Sequence, residues 1–126
     1  MTPRGIALGL GMAFAILTGL ELLIGEWAVG GTELVHRTTK VNILHWLVAL
    51  AMLGAFFAAA PAATRTILRV SGVVLAAISL WGIFGADSLG TSLGFGGGMP
   101  VSYNAVHAAA AVIALSGGFL GRLEKA

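Results

Sequence analysis

Four stretches of almost uninterrupted apolar residues, at about 5–27, 41–60, 67–86 and 103–120, constrain this chain more than any other feature. Each has the length, ~20 residues, that carries a helix across the hydrocarbon core of a bilayer. Backbone amides in hydrocarbon have no water to bond, so each stretch must close its own hydrogen bonds as a helix. The alternating apolar and polar pattern of a barrel strand is missing. The expected fold is therefore all-α: an integral membrane four-helix bundle forming one transmembrane domain over residues 1–126, with an outer glycine-rich loop at 88–102. Composition agrees, with 58% hydrophobic and 10% charged residues, against ~45–50% and ~25% in soluble domains.

Local signals punctuate the spans. Arg4 precedes the first, and the pair Gly30-Gly31 is a poor helix former beyond its end. The polar run His36-Arg37-Thr38-Thr39-Lys40 leads into the second span, which is expected to end near Pro61. The third is expected to begin around Thr66 to Val70, with Asp87 marking its exit, and Gly94 to Pro100 is expected to be irregular. Ala13-Phe14-Ala15 resembles a weak leader-cleavage site, but the apolar stretch runs on past it, so a retained helix is expected.

Charge sets the expected orientation. Of the seven basic residues, Arg4, Arg65, Arg69, Arg122 and Lys125 fall on one side of the four-span path, and Arg37 and Lys40 on the other. Cytoplasmic loops keep Lys and Arg, so both termini are expected on the cytoplasmic side of a bacterial inner membrane. Basic residues so dispersed make no nucleic-acid patch, and the lack of cysteine excludes disulfides, thiolate metal sites and thiol catalysis within the chain. Trp27, Trp46, Trp81 and Tyr103 all fall towards the outer half, as an interfacial belt would; the competing reading is a lining for a bound ring or tail. Gly5/Gly9, Ala15/Gly19, Ala110/Ala114 and Gly117/Gly121 are small-residue pairs at the spacing that lets membrane helices approach closely.

The one concentration of chemistry is a repeated Asn-x-x-His. Asn42-Ile43-Leu44-His45 opens the second span and Asn104-Ala105-Val106-His107 the fourth. Corresponding places in two helix pairs imply two parallel two-helix repeats, an idea supported loosely by matching Leu17–Gly25 with Ser79–Asp87. The three-residue spacing puts Asn and His on one helical face. His45 and His107 are candidate axial ligands for a haem or a chlorophyll-type ring, with Asn42, Asn104, Trp46 and Tyr103 around them. The competing reading is that these polar groups only bond to neighbouring helices and fix their register. Glu21, placed about 8 Å inside the outer end of a span closing at Trp27, is an intramembrane acid that needs His45 or His107 as partner, or else reaches towards water. Glu26, Glu33 and Asp87 are expected to be solvated, and convergence of such acids with His36 on a metal cannot be read from spacing.

These features resemble the bacterial four-helix membrane proteins catalogued as domain of unknown function 4383. The resemblance runs from about Leu34 to Leu120 and rests on His36, Asn42 with His45, the Ala-rich stretch before Pro61, Arg65 and Arg69, the Gly-containing third span, and Asn104 with His107. The chain departs from the family pattern at Tyr103, where Asp is common, and at Ala110-Ala111, near where a Leu-Gly pair follows the His. The resemblance implies a fold and no activity. The function expected from the whole reading is a non-catalytic structural or accessory subunit, partnered by the bilayer and by copies of itself or other membrane subunits. The alternatives are a haem- or pigment-binding module using His45 and His107, and a small transporter in which Glu21 handles protons.

Overall fold

The computed structural model describes residues 1–24, 27–29, 32–35, 38–58, 60–95 and 98–121. The expectations that fall on Glu26, Gly30-Gly31, His36, Arg37 and residues 122–126 lie outside them, as do the side chains of Trp27 and Glu33. The elements run α1 (Pro3–Ile24), β1 (Trp27–Val29), β2 (Thr32–Val35), α2 (Thr39–Phe57), α3 (Pro61–Phe84), α4 (Ala86–Leu93) and α5 (Val101–Leu120). Four of them, α1, α2, α3 and α5, are long and apolar enough to cross a membrane.

Three boundaries differ from the sequence reading, each for a local reason. The fold is helical as expected, with one addition between α1 and α2: β1 and β2 pair as a short antiparallel hairpin, with Val29 opposite Thr32. Trp27 therefore begins a strand instead of closing a helix, and α1 stops at Ile24. Pro61 starts α3 instead of ending α2; a proline at the first helical position gives up only an amide that has no intrahelical partner anyway. The loop at 88–102 contains α4, which carries Asp87, exposed as expected, in its first turn and ends on Gly94 in the left-handed region at φ 90°, where a side chain would be strained.

The bundle consists of two tightly packed helix pairs, α1 with α2 and α3 with α5. Close approach is bought with glycine: a Cβ on Gly11 would fall 2.9 Å from the Leu53 side chain, and one on Gly72 would fall 2.7 Å from that of Leu115. The buried positions of the two pairs correspond. Pro3, Ala7, Gly11, Phe14, Thr18 and Glu21 of α1 match Thr64, Leu68, Gly72, Leu75, Ser79 and Gly82 of α3 at a constant displacement of 61 residues. Val41, His45, Ala49, Met52 and Ala55 of α2 match Tyr103, His107, Ala111, Ala114 and Gly117 of α5 at 62. This register sets Thr18, not Leu17, against Ser79.

Both ends are tied. Thr38 caps α2, accepting from the Val41 amide at 3.2 Å, and its hydroxyl donates to the Leu93 carbonyl at 2.8 Å. Lys40 Nζ donates to the Ser92 carbonyl at 2.9 Å, placing a cation at the negative end of α4. At the opposite end Arg69 Nε donates to the Gly118 carbonyl at 2.9 Å, Arg65 donates to that of Gly121, and the Arg69 guanidinium lies 4.4 Å over the Phe119 ring. Two arginines of α3 thus satisfy the open carbonyls of α5.

Gly72→Val is expected to lower stability by about 1–3 kcal/mol through overpacking. Gly9→Ala, where an added Cβ meets nothing within 4 Å, should leave stability unchanged or slightly raised. Unfolding titrations in mixed micelles compare the two.

Candidate functional site

Polar side chains have little reason to face the inside of so apolar a bundle, yet Thr18, Glu21, His45, Ser79, Asn104 and His107 are buried in it. Their helical spacing brings them together. Thr18 and Glu21 are three apart on α1, and Asn42 and His45 three apart on α2, so each pair presents one face and the two faces meet. Glu21 is fully buried. One carboxylate oxygen lies 2.8 Å from His45 Nδ1, and the other accepts from the Asn42 amide at 3.1 Å. The same amide lies 3.4 Å from the Thr18 carbonyl, which leaves Asn42 bonding across helices while Thr38 caps α2. Of the routes open to Glu21, partnership with His45 is the one taken. It lies in the last turn of α1, about 4.5 Å from the helix end at 1.5 Å per residue, shallower than expected because the helix stops at Ile24.

In the second pair the chemistry is different. Gly82 occupies the place corresponding to Glu21, and its missing side chain leaves room for the Asn104 amide: a Cβ there would fall 1.8 Å from Asn104 Oδ1. Ser79 donates to the Asn104 carbonyl at 2.9 Å. Asn104 Oδ1 and His107 Nδ1 are buried without a hydrogen bond among the described residues. The Tyr103 backbone, one turn back, makes a weak hydrogen bond with the His107 ring, outside normal hydrogen-bond geometry.

The two imidazoles meet at the middle of the site, ring centroids 6.1 Å apart and tilted by 50°, with Phe14 5.5 Å from His45 on the other side. Two openings reach them. One, between α1 and α5, is a slot of about 60 Å³ lined by Phe14, Leu17, Tyr103 and Val106 with both histidines. The other, between α2 and α3 beneath α4, is a cavity of about 230 Å³ lined by Leu44, Val48, Ile78, Trp81 and Met99 with both histidines. Trp81 is fixed at its rim by an indole hydrogen bond to Ser88 Oγ at 2.8 Å.

Of the expected site residues, Glu21, Asn42, His45 and His107 therefore converge, and Asn104 packs beside them. Tyr103 lines the smaller opening but is buried against Phe95, 5.6 Å away, so it is not a residue of an exposed belt. Trp46 is partly exposed and does not join the site, because it follows His45 directly and so lies about 100° round α2 from it. Thr18, Ser79 and Met99 were not singled out from the sequence, whereas Trp81, read there as a belt residue or a ring lining, stands at the rim of the larger cavity. The signal for Thr18 and Ser79 was there, in a hydroxyl at corresponding places of α1 and α3.

The arrangement has the form of an oriented imidazole: a carboxylate holds Nδ1 and leaves Nε2 as the ring's working atom. No group of three or more metal-ligating side chains occurs among the described residues. The larger cavity also lies below the ~300–1,000 Å³ typical of small-molecule sites, so a tetrapyrrole held by His45 and His107 would require the helices to part.

Glu21→Leu is expected to destabilise the bundle by about 2 kcal/mol, between the ~3–5 kcal/mol for breaking a buried pair in water-soluble proteins and the smaller values measured in membranes. Combined with His45→Leu, the losses should fall short of additive by at least about 1 kcal/mol. A double-mutant cycle of unfolding free energies measures this. Comparison of the chain with protein-family models, curated proteins and solved structures finds no match, so the functional reading stands on the geometry of this site.

Proposed function

We propose that this chain is a non-catalytic, multi-pass membrane protein of a bacterial inner membrane, built from two copies of one helical hairpin and working as an accessory subunit of a larger membrane assembly. The carrying observation is the inverted distribution of polarity. Glu21, His45, Asn104 and His107 lie inside, while large apolar side chains such as Ile16, Leu47, Val73 and Val112, one on each long helix, are more than half exposed. Water would penalise that exterior heavily, and a bilayer would not.

The charge bias argues for both termini on the cytoplasmic side. The constant displacement of buried positions between α1 and α3, and between α2 and α5, supports a duplicated hairpin with its pseudo-twofold along the bilayer normal. The resemblance to the family of unknown function 4383 belongs to the same proposal. The small residues support the accessory role. Ala110, Ala114, Gly117 and Gly121 are buried within the bundle, whereas Gly5, Gly9 and Ala13 form an outward stripe on α1 open to a second helix.

A second reading, ligand binding at the histidine pair, is favoured by one observation: both imidazoles line a cavity while Glu21 holds only one of them. The transporter reading has less to support it, since both oxygens of Glu21 are engaged in joining α1 to α2.

Because the chain has no native cysteine, single-cysteine labelling tests the orientation directly. A membrane-impermeant maleimide is expected to label Thr91→Cys, on α4, in intact spheroplasts, and Ala60→Cys, between α2 and α3, only after permeabilisation. The reverse pattern would invert the topology, and labelling of both in intact spheroplasts would refute a four-span insertion.

A further inference from the structure

We propose that the cavity between α2 and α3 is a binding site for a lipophilic, single-ring carbonyl compound of the aryl ketone or quinone class, whose oxygen accepts a hydrogen bond from His45 Nε2. The cavity, about 230 Å³, has apolar walls apart from its two imidazoles. That volume suits one six-membered ring with short substituents and is too small for a macrocycle. Leu44 and Trp81 on its rim are 43% and 49% exposed on the outer surface of the bundle, so the cavity is reached sideways, from the lipid-facing side.

The polarity of the site selects the ligand. An unbalanced charge in such surroundings is costly, so Glu21 and His45 are best accommodated as a neutral pair sharing one proton across the 2.8 Å contact at Nδ1. Wherever that proton rests, Nε2 keeps its own hydrogen. His45 makes no hydrogen bond through Nε2 among the described residues. The ring thus offers a donor into apolar surroundings, and a carbonyl oxygen is the acceptor that brings little polar surface with it. His107, 7% exposed, is the second polar group at the cavity, while the indole of Trp81, held by Ser88, gives a flat wall against which a ring packs.

The inference rests on the membrane reading only for the ligand's route. It is tested in detergent micelles, where orientation does not matter. Acetophenone and α-methylstyrene have nearly the same shape, but only the first carries an acceptor. Titrated into purified protein, with protein-free micelles as the partition control, acetophenone is expected to bind saturably and about fivefold tighter than α-methylstyrene, the ratio a single neutral hydrogen bond supplies. It should also shift the ¹⁵N resonance of His45 Nε2. His45→Phe should bring the two affinities together. Val48→Trp, which fills the cavity from α2 and leaves Glu21 and His45 themselves unaltered, should abolish saturable binding of both probes and keeps the test open if the His45 variant does not fold. Equal affinities in the wild type, a preference that survives His45→Phe, binding that survives Val48→Trp, or uptake no greater than by empty micelles would each overturn the proposal.

Discussion

A carboxylate with no exposed surface must be paired, and the contact between Glu21 and His45 organises the rest of this bundle. Hydrophobic burial draws apolar helices together without choosing their register, and between helices in lipid even that drive is absent. A directed contact does choose. With one oxygen on His45 and the other on the Asn42 amide, Glu21 admits a single rotation and height of α2 against α1. The same register sets Gly11 under Leu53 a few turns away, so polar bonding near one end and close packing along the seam agree. Local and global preferences that coincide in this way define one structure.

The second hairpin reaches the same geometry by different means. Glycine at position 82 lets the Asn104 side chain lie against the α3 backbone, and Ser79 bonds the Asn104 carbonyl, so α3 and α5 are fastened through small residues and a hydroxyl instead of an acid. At the far end Arg65 and Arg69 of α3 close the carbonyls of α5, and Thr64 of α3 bonds the Ala55 carbonyl of α2 across the connection at 3.0 Å. Where two helix pairs are superposable in pattern but not in chemistry, one half is free to carry structure while the other is relieved of it.

Much of the architecture was legible in the sequence, because span length and apolar composition are properties of single segments. The four long helices, the Asn-x-x-His repeat and a carboxylate in need of a partner all follow from residue type and spacing. What was not legible depends on contacts made later. Pro61 reads equally as a stop or a start until one knows that α2 has already ended at Phe57. The α4 segment Ala86–Leu93 has poor helix formers in Gly90, Thr91 and Ser92, and only Leu89 with Leu93, four apart, hints at the apolar face it packs over the cavity. Trp81 and Trp46 look alike as interfacial aromatics; one is drawn to the cavity rim by Ser88, seven residues on, and the other is not. The choice of His45 over His107 as partner of Glu21 likewise required the packing of α1 on α2.

The unpaired polar atoms of the second hairpin bear on what the site does. A buried donor or acceptor left without a partner costs about 1–3 kcal/mol, and native bundles seldom carry two such atoms side by side. Among the described residues Asn104 Oδ1 and His107 Nδ1 are nevertheless buried without a hydrogen bond, three residues apart on one face of α5. Were these residues needed only for packing, apolar side chains of similar volume would fill the same space without that penalty. Their polarity at the place where α3 carries Gly82 instead of an acid is better accounted for by an interaction completed from outside the bundle, and the openings lined by His107 and by Asn104 are where such an interaction has access.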